Sequence, residues 1–123
     1  MSGALDTLRE AGNRIHLLSH VNALLGWDQE VYMPDKAIGE RADQLSYIEG
    51  LLYDESTSKD LGAALQELGA SEEHPKGKSG LSDTEAAYVR ALYDLYRKQT
   101  KLPKALVVEI AKETSIAQNK WVE

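Results

Sequence analysis

The chain has 123 residues, a formal net charge of −6 and no cysteine; that length allows one modest core, and the missing thiols exclude a disulfide framework, a thiolate metal site and a cysteine nucleophile. The acidic balance argues against nucleic acid as a partner, since phosphate backbones are bound through clustered Lys and Arg. No apolar run approaches the roughly 20 residues of a membrane span and no signal-peptide pattern opens the chain, so a cytoplasmic protein with no membrane partner is expected.

Apolar spacing predicts an all-α protein, an antiparallel bundle or array of about five helices forming a single helical domain over 1–123. In the first helix Leu5, Leu8, Ile15, Leu18 and Leu25 recur at helical intervals, and Leu17, Val21 and Leu24 widen the stripe. Such a helix should be buried on more than one side and end near Gly26 or Trp27. The segment Gly26-Trp27-Asp28-Gln29-Glu30-Val31-Tyr32-Met33-Pro34 then reads as one helix ending and another beginning. Trp27 brings a large apolar surface and an indole donor, Asp28 sets an acceptor beside it, and Pro34 stops one helix and suits the first turn of the next. The work expected of this segment is to lock the first helix against the second. If the indole is buried, Trp27→Ala should cost about 3–5 kcal/mol.

The second helix begins after Pro34 or Asp35 and carries Ile38, Ala42, Leu45, Ile48 and Leu52 until the polar cluster at residues 54–58 interrupts it. That cluster offers N-caps for a short third helix, with Leu61, Ala64, Leu65 and Leu68 on one face and Gly69 as its stop. Residues 70–80, rich in Gly, Ser, Glu and Lys, form the loop expected to be most mobile. Ser82 and Glu85 match a capping box opening the fourth helix, whose inner face is read as Val89, Leu92, Tyr93 and Tyr96. The fifth helix starts with Pro103 at N1 and is assigned an inner face of Leu106, Ile110, Ala117 and Trp121, with Thr114 on the same side.

Candidate chemistry is sparse. His16 and His20 stand at i and i+4, the spacing with which zinc peptidases present two ligands on one helix face. Leu17 occupies the place where such a motif needs Glu as general base, so a pair without metal is the stronger reading. The carboxylates Asp28, Glu30, Asp35 and Glu40 lie near the turn from the first helix to the second and could form an acid/base pair. Asp35 and Glu40 are more simply favourable charges at a helix start, and Asp28 pairs naturally with Arg41, whose guanidinium can bridge a carboxylate bidentately. No serine stands in a Gly-x-Ser-x-Gly context, and Gly77-Lys78-Ser79 lacks the rest of a phosphate loop. Acidic residues predominate up to Pro75, and Lys and Arg outnumber them from Lys76 onward; a solvated surface explains this without a partner.

The order Trp27-Asp28-Gln29, Met33-Pro34, Arg41 and Gln44-Leu45 resembles the amino-terminal region of the carboxypeptidase Taq family of thermostable metallocarboxypeptidases. The Leu51-Leu52 pair, Leu81-Ser82-Asp83, Val89-Arg90, Tyr96, Leu102 to Leu106, Glu109 and the spacing from Ser115 to Trp121 extend the resemblance over nearly the whole chain. It implies a longer, all-helical, commonly homodimeric parent with a deep groove and a His-Glu-x-x-His site for zinc or cobalt, where a metal-bound water activated by Glu attacks the last peptide bond. His-Glu-x-x-His is absent from this sequence, so no catalytic residue, metal ligand or cofactor carries over. The expectation is an amino-terminal fragment, inactive alone, whose partner is the rest of the parent polypeptide and whose helices wall or cover the groove that takes the peptide. The competing reading is a free-standing helical interaction module. A severed segment should expose a contiguous apolar patch or dimerise, whereas a module should hide its core and leave one compact groove.

Overall fold

A computed structural model describes residues 3–31 and 34–121, the side chains of residues 35, 119 and 121 excepted. Its described residues form helices and no strands: α1 (Ala4–Val31), a 3₁₀ turn (Asp35–Ala37), α2 (Ile38–Ser56), α3 (Lys59–Glu67), α4 (Asp83–Thr100) and α5 (Lys104–Trp121). None of these helices is long and apolar enough to cross a membrane. Contacts gather into two compact units, Met1–Ile15 with Asp54–Lys101 and His16–Tyr53 with Leu102–Glu123.

The first unit is built on an apolar core. Leu8, Ala11 and Ile15 repeat at helical intervals on α1, and they are buried together with Leu61, Ala64, Leu65 and Leu68 around α3 and Val89 and Leu92 of α4. The α3 face is the one its spacing predicts. Ser58 caps α3 by accepting from the Leu61 amide at 3.1 Å, and Gly69, at φ +80°, ends it in the left-handed conformation that glycine adopts without steric cost. In the capping box of α4, Ser82 Oγ accepts from the Glu85 amide at 3.1 Å and Glu85 Oε1 accepts from the Ser82 amide at 2.9 Å. Two tyrosines of α4 reach into notches left by glycines: a Cβ added at Gly12 would lie 1.8 Å from Tyr88 Oη, and one at Gly62 would lie 2.6 Å from Tyr96 Oη. The loop after α3 is tied down by the Lys78 amide, which donates to the Leu68 carbonyl at 2.7 Å, and by the Gly77 amide, which donates to the His74 carbonyl.

The second unit is closed differently. Asn22 of α1 donates to Glu49 of α2 at 3.3 Å while Asp28 meets Arg41, which sets α1 and α2 antiparallel. Along α2 the small residues Ala42, Ser46 and Gly50 form a buried stripe at four-residue spacing. A Cβ at Gly50 would meet Val108 at 3.3 Å and Lys104 at 3.4 Å, and Lys112 pairs with Asp43 at 3.4 Å, so α5 runs antiparallel along that stripe.

Three expectations are corrected. Helix α1 does not stop at Gly26 or Trp27 but continues to Val31, because Asp28, Gln29 and Glu30 all find partners on other helices only if the helix persists. The outer residues of α1 are not covered, since Leu17, Val21 and Leu24 are exposed. The inner face of α5 is rotated from the one expected. Leu106, Ile110, Thr114 and Ala117 face solvent, while Val107, Val108, Ala111 and Ser115 turn inward. The pairing of α5 with a small-residue stripe favours short branched and polar side chains over Leu and Ile. The Trp121 side chain lies outside those described.

Candidate functional site

The residues singled out between positions 25 and 44 meet in one polar clasp of the second unit. Its centre is Arg41, on the first turn of α2, with a side chain 15% exposed. Nη1 donates to Asp28 Oδ2 at 2.8 Å and to the Leu25 carbonyl at 2.9 Å, and Nε donates to Gln44 Oε1 at 2.9 Å. The contact with Asp28 is therefore made through one nitrogen rather than the two-pronged fork; that same nitrogen holds the α1 backbone at Leu25, and Nε is fixed by Gln44 on α2 itself. A planar donor array with fixed directions suits this triple task, which a lysine ammonium cannot copy.

Gln29 is the most buried member. Its Nε2 donates to the Ser115 backbone carbonyl at 2.8 Å and its Oε1 accepts from Ser115 Oγ at 2.7 Å, so the Gln29 side chain closes a two-bond pair with Ser115 between α1 and α5. Both residues are buried, where a satisfied pair fixes helix register and an orphaned one is costly. One turn further along α5, Gln118 donates to Glu30. Ser115, Lys112 and the small-residue stripe on α2 escaped sequence reasoning as partners of this segment. The spacing Ala42-x-x-x-Ser46-x-x-x-Gly50 was the available signal for a close helix approach; nothing local marks Ser115 as the partner of a residue 86 positions away.

Trp27 does not serve as the buried bolt of this clasp. The residue is 51% exposed, on the side of α1 away from Gln29. Pro34 precedes the 3₁₀ turn and is exposed, Met33 lies outside the described residues, and so does the Asp35 side chain. Glu40 is exposed in the first turn of α2.

The His16 and His20 rings lie against each other at a centroid distance of 4.0 Å, tilted by 51°, on the exposed surface of α1. Among the described residues no group of three or more His, Cys, Asp or Glu side chains is placed to hold a metal ion. The pair lacks the further ligands and oriented supports that a zinc site needs. A cleft of about 750 Å³ in the first unit lies between residues 72–76 and α4. Its walls mix Lys76 and Arg90 with Glu72 and Asp83, and Arg97 there is already paired with Asp94, so it selects no ligand charge. Neither place assembles a nucleophile, a base and an oxyanion donor.

Against known proteins, the sequence model of the family described as carboxypeptidase Taq (M32) metallopeptidase matches residues 7–123. The chain belongs to this family. Its curated relatives include two proteins called thermostable carboxypeptidase 1. The one from Thermus thermophilus is 31% identical over 120 residues, covering 98% of this chain and 23% of the relative. The one from Pyrococcus furiosus is 31% identical over 115 residues, covering 89% of this chain and 21% of the relative. This M32 chain thus spans less than a quarter of the length of the relatives it matches. No solved structure matches it. Membership places the chain in a metallopeptidase family, yet its described side chains do not fit a metal centre, and the clasp from Leu25 to Gln44 holds helices together.

Proposed function

We propose that this chain is the amino-terminal helical segment of a metal-dependent carboxypeptidase, a parent that hydrolyses C-terminal residues from peptides. The observation carrying this reading is the match to carboxypeptidases along almost all of the chain but only about a fifth of theirs. The zinc or cobalt of the parent is held by residues outside this chain, which is inactive alone. Its role is architectural: the Asp28–Arg41 and Gln29–Ser115 pairs fix three helices in register, and those helices form part of the wall or cover of the substrate groove. Exclusion of water and correct presentation of the peptide are what such a wall contributes to hydrolysis. Apolar side chains exposed along α1 and α5 favour a segment of a larger body over a self-contained module with a single groove.

Deletion of residues 1–123 from the parent tests the role. The expected result is lost activity or an altered preference for peptide length. Unchanged activity with unchanged length preference would remove the groove role.

A further inference from the structure

The two units of this chain differ in where their apolar side chains point. Among the described residues every buried large hydrophobic one, from Leu8 to Leu92, belongs to the first unit, and the buried hydrophobic residue of the second is Ala42. Every large hydrophobic side chain left exposed among the described residues, from Leu17 on α1 to Ile110 on α5, belongs to the second. Five of them are arranged on α1. At about 100° per residue, Leu17, Val21, Leu24, Trp27 and Val31 share an arc of about 120°, some 21 Å long at about 1.5 Å per residue. The arc also holds two polar residues, His20 and Asp28, and the Asp28 carboxylate is already taken by Arg41. The opposite side of the same helix, with Asn22 and Gln29, faces α2 and α5.

An apolar arc on a helix whose other side is already packed is a surface built to be covered, and among the described residues this chain leaves it exposed. We infer that the outer arc of α1 is an intramolecular docking face for the later part of the parent polypeptide. This rests on the reading of the chain as a segment of a longer protein. The occupant is assigned from length: the matched relatives carry more than three quarters of their chain outside the region that this one covers. An apolar, nearly uncharged strip four turns long fits a packed helix of the same body, whereas a transient partner is met through surfaces no more apolar than the rest.

Amide hydrogen exchange on the isolated chain and on the parent tests the assignment. In the parent, amides of residues 17–31 should exchange at least about 10-fold more slowly than in the isolated chain, as expected when a face becomes covered. The double variant Leu17→Asp/Leu24→Asp should abolish that gain in the parent and leave the melting temperature of the isolated chain unchanged, because both side chains are exposed there. Equal exchange in the two proteins would overturn the inference. So would a reading frame that stops after Glu123, or a concentration-dependent dimer of the isolated chain that the double variant dissolves, which would assign the face to a second copy. None of these readouts involves hydrolysis, so a parent without peptidase activity would refute the proposed function and leave the docking result standing.

Discussion

Replacing Gln29 with alanine probes the clasp at its most buried point. The change removes both hydrogen bonds to Ser115 and leaves Ser115 Oγ without its acceptor, whereas the Ser115 carbonyl retains its place within α5. A neutral hydrogen bond contributes about 1 kcal/mol net and a buried polar atom left unpaired costs about 1–3 kcal/mol. Because a helical serine can turn its hydroxyl to the carbonyl four residues back, the lower part of that range applies, and the loss should be about 2–3 kcal/mol. Ser115→Ala leaves Gln29 Oε1 unpaired while Nε2 still donates, for about 1–2 kcal/mol. In the double variant the orphaned atoms vanish together, so the two losses should not add, and a coupling of about 1 kcal/mol is expected. Urea unfolding followed by far-UV circular dichroism measures all four corners of the cycle, and in a thermal melt each kcal/mol corresponds to about 3–6 °C for a chain of this size. Losses that add within about 0.3–0.5 kcal/mol would refute the reciprocal pair.

Other perturbations test other parts of the fold. Gly12→Ala, which on an open helix stabilises by about 1 kcal/mol, should instead destabilise by about 1–3 kcal/mol because Tyr88 occupies the space, and the sign should reverse in a Tyr88→Ala background; stabilisation with Tyr88 in place would contradict the notch. Trp27→Ala should cost about 1–2 kcal/mol, since half of an indole of roughly 250 Å² at about 25 cal/mol/Å² sets an upper bound near 3 kcal/mol; a larger loss would show that Trp27 is buried after all. The backbone amide of Ser82, then its hydroxyl, and more weakly Arg9, hold the Glu85 carboxyl below its ordinary value of 4.5. With the folded value depressed, its contribution is present above pH 4.5 and is lost as pH falls through the lower folded value. Glu85→Gln should flatten that acid limb in a pH series of melts, and an unchanged limb would show that the capping box does not couple to protonation.

Local signals in the sequence were read more securely than distant ones. The α3 face, its Ser58 cap and Gly69 stop, and the Ser82–Glu85 box are each set within a few residues, so pattern and structure coincide. The end of α1 was misplaced because Gly26 weakens a helix only by about 1 kcal/mol, less than the partners of Asp28, Gln29 and Glu30 supply. On α5 apolar residues occupy nearly every side, and only the close approach to Ala42, Ser46 and Gly50 decides that Val107, Val108 and Ser115 turn inward. The candidate site was legible as a list, with Asp28 and Arg41 correctly paired, yet its most buried bond joins Gln29 to a residue 86 positions away. Trp27 is exposed although its size and apolarity point to burial, because the chemistry of a side chain does not by itself fix which surface covers it.

We propose that this M32 chain contributes helical architecture to its parent and none of the catalytic atoms. The most direct test is release of C-terminal amino acids from a peptide by the purified 123-residue chain supplied with zinc or cobalt. The account predicts no release above that of the metal in buffer, and release by the parent polypeptide under the same conditions. Release by the isolated chain, abolished by a chelator and restored by metal, would contradict it.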